Sequence, residues 1–338
     1  MNTEDIIIKD SDLVFTVITP VYNEAESLPH FHEQLLKVIN KLGIKYEWII
    51  VDDHSNDSTN KIIKSIAEKN IHIHGIRLAK NYGSHIAISA GLHLANGDSA
   101  IVMAADLQDP PGVIPELIEK WRHGKQIVWA VRSLRRRETP VTKGTSRLYY
   151  WLMRKVVKIK DLHLTGADFF LIDRKVIDAF KLFKESNLSI FLLLTWMGFK
   201  QDNIFYIKQA RQYGESGWTL RKKIKLVVDS ITSFSHFPIR TMTYIGFIIA
   251  FGGLIYAMII IYNALLGDPA PGWSSLLNWQ DMGPRTIMVV LLVLGGFQMI
   301  MLGVLGEYIW RNLDESRRRP LYLIEENIGS DYSGKSEK

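Results

Sequence analysis

Short apolar runs and stretches of helical period alternate along residues 13 to 128. LVFTVITP (13–20), YEWIIVDD (46–53), IHIHGIRLA (71–79), SAIVMAAD (99–106) and QIVWAVRS (126–133) each read as a buried strand. Between them, residues 27–42, TNKIIKSIAEK (59–69), SHIAISAGLHLANG (84–97) and VIPELIEKWRHG (113–124) carry apolar positions at helical spacing, the third stretch closed by glycine. Strands alternating with helices predict an open, Rossmann-like, largely parallel α/β sheet. No internal repeat or low-complexity segment interrupts it.

The pattern changes in the last third. TYIGFIIAFGGLIYAMIIIY (243–262) carries no charge, and TIMVVLLVLGGFQMIMLGVLG (286–306) has only Gln298 as a strong polar interruption. Each has the roughly 20 apolar residues that a spanning helix needs. Core helices of a soluble protein are the alternative, but those usually keep a polar stripe. The connecting loop LGDPAPGWSSLLNWQDMGP (266–284), with Trp273 and Trp279 as interfacial anchors, contains no Lys or Arg, while Arg240 precedes the first span and Arg311 follows the second. The positive-inside rule then places both termini and the soluble domain on the cytoplasmic face of the cell membrane. KKIKLVVDSITSF (222–234), with lysines on one face and apolar residues on another, reads as an interfacial helix. The expected organisation is a catalytic domain over 1–212, a juxtamembrane segment over 213–240, two spans within 241–310 and a basic tail over 311–338.

Composition narrows the chemistry. The chain has no cysteine, which excludes disulfides, thiolate nucleophiles and cysteine metal sites. Net charge is +6, and the basic clusters at 132–137, 221–225 and 317–319 favour a membrane surface or a phosphate-bearing ligand over nucleic acid. The start, MNTEDIIIKDSD, lacks the basic and apolar regions of a secretory signal.

Ligands of open α/β sheets bind beyond the carboxyl ends of the strands. Three of the strands end in polar clusters there: TPVYNE (19–24), DDHSNDST (52–59) and DLQDPP (106–111). Asp57 and Ser58 are ordinary helix-cap material. Asp52 and Asp53 leave their strand on opposite faces, so one at most is expected to point into a cleft, where it can accept from a base or ribose. In extended backbone Asp106 and Gln108 face the same way and suit Mg²⁺ or Mn²⁺ bridging a diphosphate, with Asp109 expected as a helix cap. His72 and His74 read as structural. Neither a P-loop, a GxGxxG fingerprint nor an HExxH motif is present.

Together these motifs resemble glycosyltransferase family 2, which has the GT-A fold. KNYGSHIAISAG (80–91), TGADFFLIDR (165–174), YGESGWTLRKKIKLVVDSITSFSHFPIR (213–240) and EYIWRNLDESRRRPLY (307–322) extend the likeness to its polyisoprenyl-phosphate branch, over about residues 13–324. That branch holds dolichol-phosphate mannose synthase and the two-span bactoprenol glucosyltransferases. The resemblance implies that Pro20, Tyr22, Glu24 and Asp53 hold the nucleotide, and Asp106 and Gln108 the metal and diphosphate. It places Arg132 and Arg147 on phosphates, Thr165 and Gly166 beside the acceptor phosphate, and Arg211 and Ser216 in a segment closing over the donor. Asp168 would orient the acceptor, take its last proton or stabilise positive charge on the sugar. The implied activity is inverting transfer of one sugar, from a UDP-hexose, to undecaprenyl or dolichyl phosphate, by a homo-oligomer such as a tetramer.

Three positions depart from the family pattern: Ala104 replaces an acid of Asp-x-Asp, His54 replaces the glycine of the Asp-Asp-Gly-Ser turn, and Gly217 replaces a lysine. Two other readings compete. A processive polysaccharide synthase would carry a Gln-x-x-Arg-Trp motif and more spans; a silent membrane scaffold or lipid carrier is the reading Ala104 keeps open.

Overall fold

A computed structural model of the chain describes residues 14–132, 168–183, 189–209, 237–266 and 284–329. Eight strands form one sheet in the order β7-β5-β6-β4-β1-β2-β3-β8. These are β1 (Val14–Val21), β2 (Lys45–Asp52), β3 (Ile73–Leu78), β4 (Ser99–Val102), β5 (Ile127–Arg132), β6 (Phe169–Asp173), β7 (Gln201–Tyr206) and β8 (Ile324–Ile328). β6 lies between β4 and β5, antiparallel to both, and β8 pairs antiparallel with β3. The other six strands run one way, so their carboxyl ends share an edge. The α/β expectation is met, with two antiparallel strands added.

Both faces of the sheet are covered, and the strand residues divide accordingly. Phe15, Val17, Trp48 and Ile50 enter a core with Phe31 and Leu35 of α1 (Leu28–Leu42), Ile63 of α2 (Thr59–Lys69) and Leu117 of α4 (Ile114–Arg122). Ile49 and Val51 point the opposite way, toward Ala87 and Ala90 of α3 (Ser84–Leu94). Phe170 and Ile172 do the same against α5 (Arg174–Phe180) and α6 (Ile190–Trp196). Strands buried on both faces read as continuous apolar runs, which is why they stand out in the sequence.

Two boundaries differ from the sequence reading. β4 ends at Val102, four residues before Asp106. α3 ends at Leu94, and Gly97 is not its cap. Gly97 instead lies against β1, where an added Cβ would stand 2.7 Å from both the Thr16 nitrogen and the Val14 carbonyl.

His85, near the start of α3, ties that helix to α6. Its ring meets Phe191 edge-on at 4.9 Å, and its Nδ1 lies 3.3 Å from the Ile190 N–H, which it accepts when neutral. Burial presses its pKa from 6.5 down to about 4. The unfolded chain therefore takes up the proton first, and stability present above pH 6.5 is lost as pH falls toward 4. With partial solvent access allowed for, the loss should be roughly 2 kcal/mol. Urea unfolding at pH 7 and pH 5 should show it, and His85→Gln should flatten the difference; an equal loss in that variant would clear His85 of the effect.

Two long helices form a second compact unit, residues 231–319. α7 (Phe237–Leu266) has 30 residues and α8 (Pro284–Ser316) has 33, so each exceeds the roughly 30 Å of a bilayer core. Neither is buried within the protein: Phe247, Ile248 and Met299 are each 71% exposed. The stretch 311–338, expected as one basic tail, is divided by the structure. Its first residues finish α8, and residues 324–328 return to the sheet as β8.

Candidate active site

The carboxyl edge of the sheet gathers the polar strand ends. The turns leaving β1, β2 and β4 each hold a non-glycine residue in left-handed backbone: Asn23 (φ 56°), His54 (φ 62°) and Leu107 (φ 58°). Such conformations persist only where their surroundings over-determine them, and they cluster at binding sites. Here side chains hold the turns. Ser55 Oγ accepts the Asn23 N–H at 2.9 Å, Asn23 Oδ1 accepts the Asn56 N–H at 2.8 Å, and Asp57 Oδ2 accepts the Ala25 N–H at 3.2 Å.

Of the residues assigned to the nucleotide, Tyr22 is 43% exposed at the end of β1, and its hydroxyl lies 3.5 Å from Asn56 Nδ2. Pro20 and Glu24 are half-buried beside it, with Glu24 accepting from the Ser27 hydroxyl. Asp52 and Asp53 are both buried, so the opposite-face reasoning does not leave one of them open. Asp52 accepts Arg77 Nη1 and the Ser55 N–H, each at 2.8 Å. Asp53 accepts the N–H groups of Tyr82 at 2.7 Å and Gly83 at 2.8 Å. Burial pushes the Asp53 carboxyl up, against those two donors. Asp53 thus anchors the loop that follows β3.

The stretch MAADLQDPP adopts a shape the extended-strand reading does not give. Leu107 turns the chain left-handed between Asp106 and Gln108, and Asp106 Oδ1 accepts the Gln108 N–H at 3.1 Å. The Asp106 carboxylate is therefore tied to the Gln108 backbone by an Asx turn, and the two residues do not lie along one face of a strand. Asp106 is 7% exposed.

Asp109 is not a cap. It is 1% exposed, accepts the Tyr206 hydroxyl and stands 3.5 Å from Lys208 Nζ, while the helical turn at Pro111 has no side-chain cap. Burial pushes its carboxyl up, and Lys208, the Tyr206 hydroxyl and Arg132 pull it back. The Tyr206 phenol is raised far above its ordinary range, first by burial and then by Asp109, so it stays a donor.

Arg132 closes β5, and Asp168 immediately precedes β6. Because β6 runs antiparallel, its first residues reach the same edge as the ends of its neighbours, and Arg132 Nη2 meets Asp168 Oδ2 at 3.2 Å. The Asp168 side chain is 50% exposed and Arg132 19%. Sequence reasoning named both; the pairing needed the topology. Arg147, Thr165, Gly166, Arg211 and Ser216 lie outside the described residues.

The site also contains residues the sequence reading passed over: Arg77, Tyr206, Lys208 and Glu325. Arg77 had a signal, an arginine between the apolar Ile76 and Leu78 at the carboxyl end of a strand. The others are brought in by β7 and β8, elements not read from the sequence.

Among the described residues no three His, Asp or Glu side chains gather as a ready cation site. One carboxylate and one amide, Asp106 and Gln108, with Ala104 in place of a further acid, are hard oxygen donors. They fit a divalent ion that takes its remaining ligands from diphosphate and water.

Comparison with known proteins agrees with this architecture. The family model described as "Glycosyl transferase family 2" matches residues 16–180. An uncharacterized glycosyltransferase of Synechocystis sp. is 39% identical over 318 residues, 94% of this chain and 96% of that protein. Another, from Bacillus subtilis, is 37% identical over 316 residues, 93% of this chain and 94% of its own length. The bactoprenol glucosyl transferase of Shigella phage SfV is 37% identical over 310 residues, 91% of this chain and 97% of that enzyme. With its mostly parallel sheet and two apolar C-terminal helices, the chain belongs to glycosyl transferase family 2, in the branch that contains the bactoprenol glucosyl transferases.

Proposed function

We propose that this enzyme moves a single hexose from a UDP-sugar to a polyprenyl phosphate at the cytoplasmic face of the membrane, inverting the anomeric carbon. The observation that carries the reading is the meeting of Arg132 and Asp168 at the same sheet edge as Asp106. A lipid phosphate is already an anionic nucleophile, since a phosphomonoester has a second pKa of roughly 6. The reaction therefore asks for cations that hold two negative reactants in line more than for a strong base.

In this reading the turns after β1 and β2, with Pro20, Tyr22, Glu24 and the Asp53-anchored loop, take the nucleoside. Asp106 and Gln108 would hold Mg²⁺ or Mn²⁺, whose positive charge would offset that of the diphosphate leaving group. Arg132, with Arg147, Arg211 and Ser216, faces the phosphates, and Thr165 and Gly166 flank the acceptor. Asp168, paired with Arg132 yet half in solvent, is placed to orient the acceptor.

Support for the orientation comes from β8. Residues before α7 and after α8 share one sheet, so the chain crosses any bilayer an even number of times between them. Two spans satisfy that, and the positive-inside rule then puts the sheet in the cytoplasm. Homo-oligomerisation through the membrane helices completes the proposal.

The test is transfer by the purified full-length protein, offered labelled UDP- and GDP-sugars, undecaprenyl or dolichyl phosphate, and Mg²⁺ or Mn²⁺. One sugar on the lipid is expected, with a UDP-hexose as donor. A growing polymer would indicate a processive synthase. Absence of transfer with every donor would indicate the silent scaffold that Ala104 keeps open.

A further inference from the structure

The donor-side turns are braced by a polar chain that ends far away in sequence. Arg77 uses three donors: Nη1 on Asp52 at 2.8 Å, Nη2 on the Ser55 carbonyl at 3.1 Å, and Nε on Glu325 Oε2 at 2.9 Å. The same Glu325 oxygen lies 3.2 Å from His54 Nδ1, which also faces the Leu78 carbonyl at 3.0 Å. Ser55 in turn holds Asn23. The turns after β1 and β2 are thus one hydrogen-bonded unit, and its outer anchor sits on β8, the strand that follows the second membrane-length helix.

We propose that Glu325 is a positioning residue of the nucleotide pocket: by fixing the Arg77 fork and the His54 ring, it holds both turns in the shape that receives the donor. This rests on the donor assignment made above. Two observations favour positioning over bulk stability. The Glu325 side chain is 48% exposed, and exposed ion pairs contribute little to folding. His54 sits at φ 62°, where a non-glycine residue stays only if it is held, and its ring is bracketed by Leu78 and Glu325. Asp52 is wholly buried and keeps Arg77 by charge, so loss of Glu325 frees the orientation of the fork without emptying the core.

The neighbouring residue supplies the control. Glu326 pairs with Lys64 at 2.6 Å and accepts Asn60 Nδ2 at 3.2 Å, so its side chain docks β8 on α2, while its backbone lies opposite Arg77 in the strand pair. Donor KM, acceptor KM and kcat of the full-length enzyme in lipid nanodiscs, and UDP binding by calorimetry, should be compared for Glu325→Ala, Glu325→Gln and Glu326→Ala. Glu325→Ala should raise donor KM and the UDP Kd about fivefold, with acceptor KM and kcat within about twofold. Glu325→Gln should recover much of the loss, because its amide oxygen still accepts from Nε. Glu326→Ala should leave donor KM alone and change the unfolding temperature little, its ion pair being exposed as well. An unchanged donor KM in Glu325→Ala overturns the proposal, as does an equal rise in Glu326→Ala or a loss confined to kcat. If Glu325→Ala does not fold, Glu325→Gln against Glu326→Ala decides, a smaller but selective donor effect being required. A wild-type enzyme that neither transfers sugar nor binds UDP would defeat the donor assignment itself.

Discussion

Replacing Asp106 with asparagine should lower sugar transfer by at least about a thousandfold while leaving the fold in place. The two halves of that expectation have separate causes. Asp106 Oδ1 accepts the Gln108 N–H at 3.1 Å, and an asparagine side-chain oxygen can accept the same bond, so the turn survives. What is lost is the negative charge. With Ala104 in place of a further acid, and Asp109 already engaged by Tyr206 and Lys208, asparagine would remove the carboxylate placed to share a cation with the diphosphate. The check is turnover at saturating donor, acceptor and Mn²⁺, measured beside the unfolding temperature. The stabilisation that Mn²⁺ with UDP gives to the wild type should also disappear. Undiminished turnover would remove Asp106 from the mechanism.

Gly97→Ala should destabilise the sheet by about 3 kcal/mol, a drop of roughly 8 °C in unfolding temperature. The new Cβ would stand 2.7 Å from the Thr16 nitrogen, the Thr16 hydroxyl and the Val14 carbonyl. Two of these are backbone atoms of β1, which cannot swing aside as a side chain can. The site is also a hydrogen-bond node. The Gly97 N–H donates to Thr16 Oγ1 at 2.9 Å, and its carbonyl accepts Arg174 Nε at 2.8 Å. Gly112→Ala is the control, since a Cβ added there would meet no neighbour within 4 Å. Equal unfolding temperatures for the two variants would show that β1 yields at Gly97.

Several features were legible in the sequence because their physics is local. The parallel strands announce themselves as apolar runs since both faces are buried, and α7 and α8 by length and lack of charge. Asp106 was named from its place at a strand end, Arg132 and Asp168 through family likeness, and the structure sets all three at one edge of the sheet. The position of Asp168 has a simple cause, but one that requires knowing that β6 runs antiparallel between β4 and β5.

Other features depend on contacts between residues distant in sequence, and pattern reading misassigned or missed them. Asp109 looks like a cap because an acid before two prolines often is one. Only β7, which brings Tyr206 and Lys208 to it, shows a buried carboxylate with its own partners. Asp52 and Asp53 alternate as a strand requires, yet both are buried, because Arg77 covers one and the loop after β3 covers the other. Gly97 looks like the end of a helix and is instead a point of close approach to β1.

By itself, then, the sequence determined the α/β class, the two membrane-length helices and the strand ends where chemistry gathers. These follow from hydrophobic period and from residue types at adjacent positions. The tertiary structure alone decided which charges neutralise one another, where left-handed turns shape the edge, and that β8 returns Glu325 to Arg77 across 248 residues. Pairing energies of that kind depend on distance in space, and no spacing along the chain encodes them.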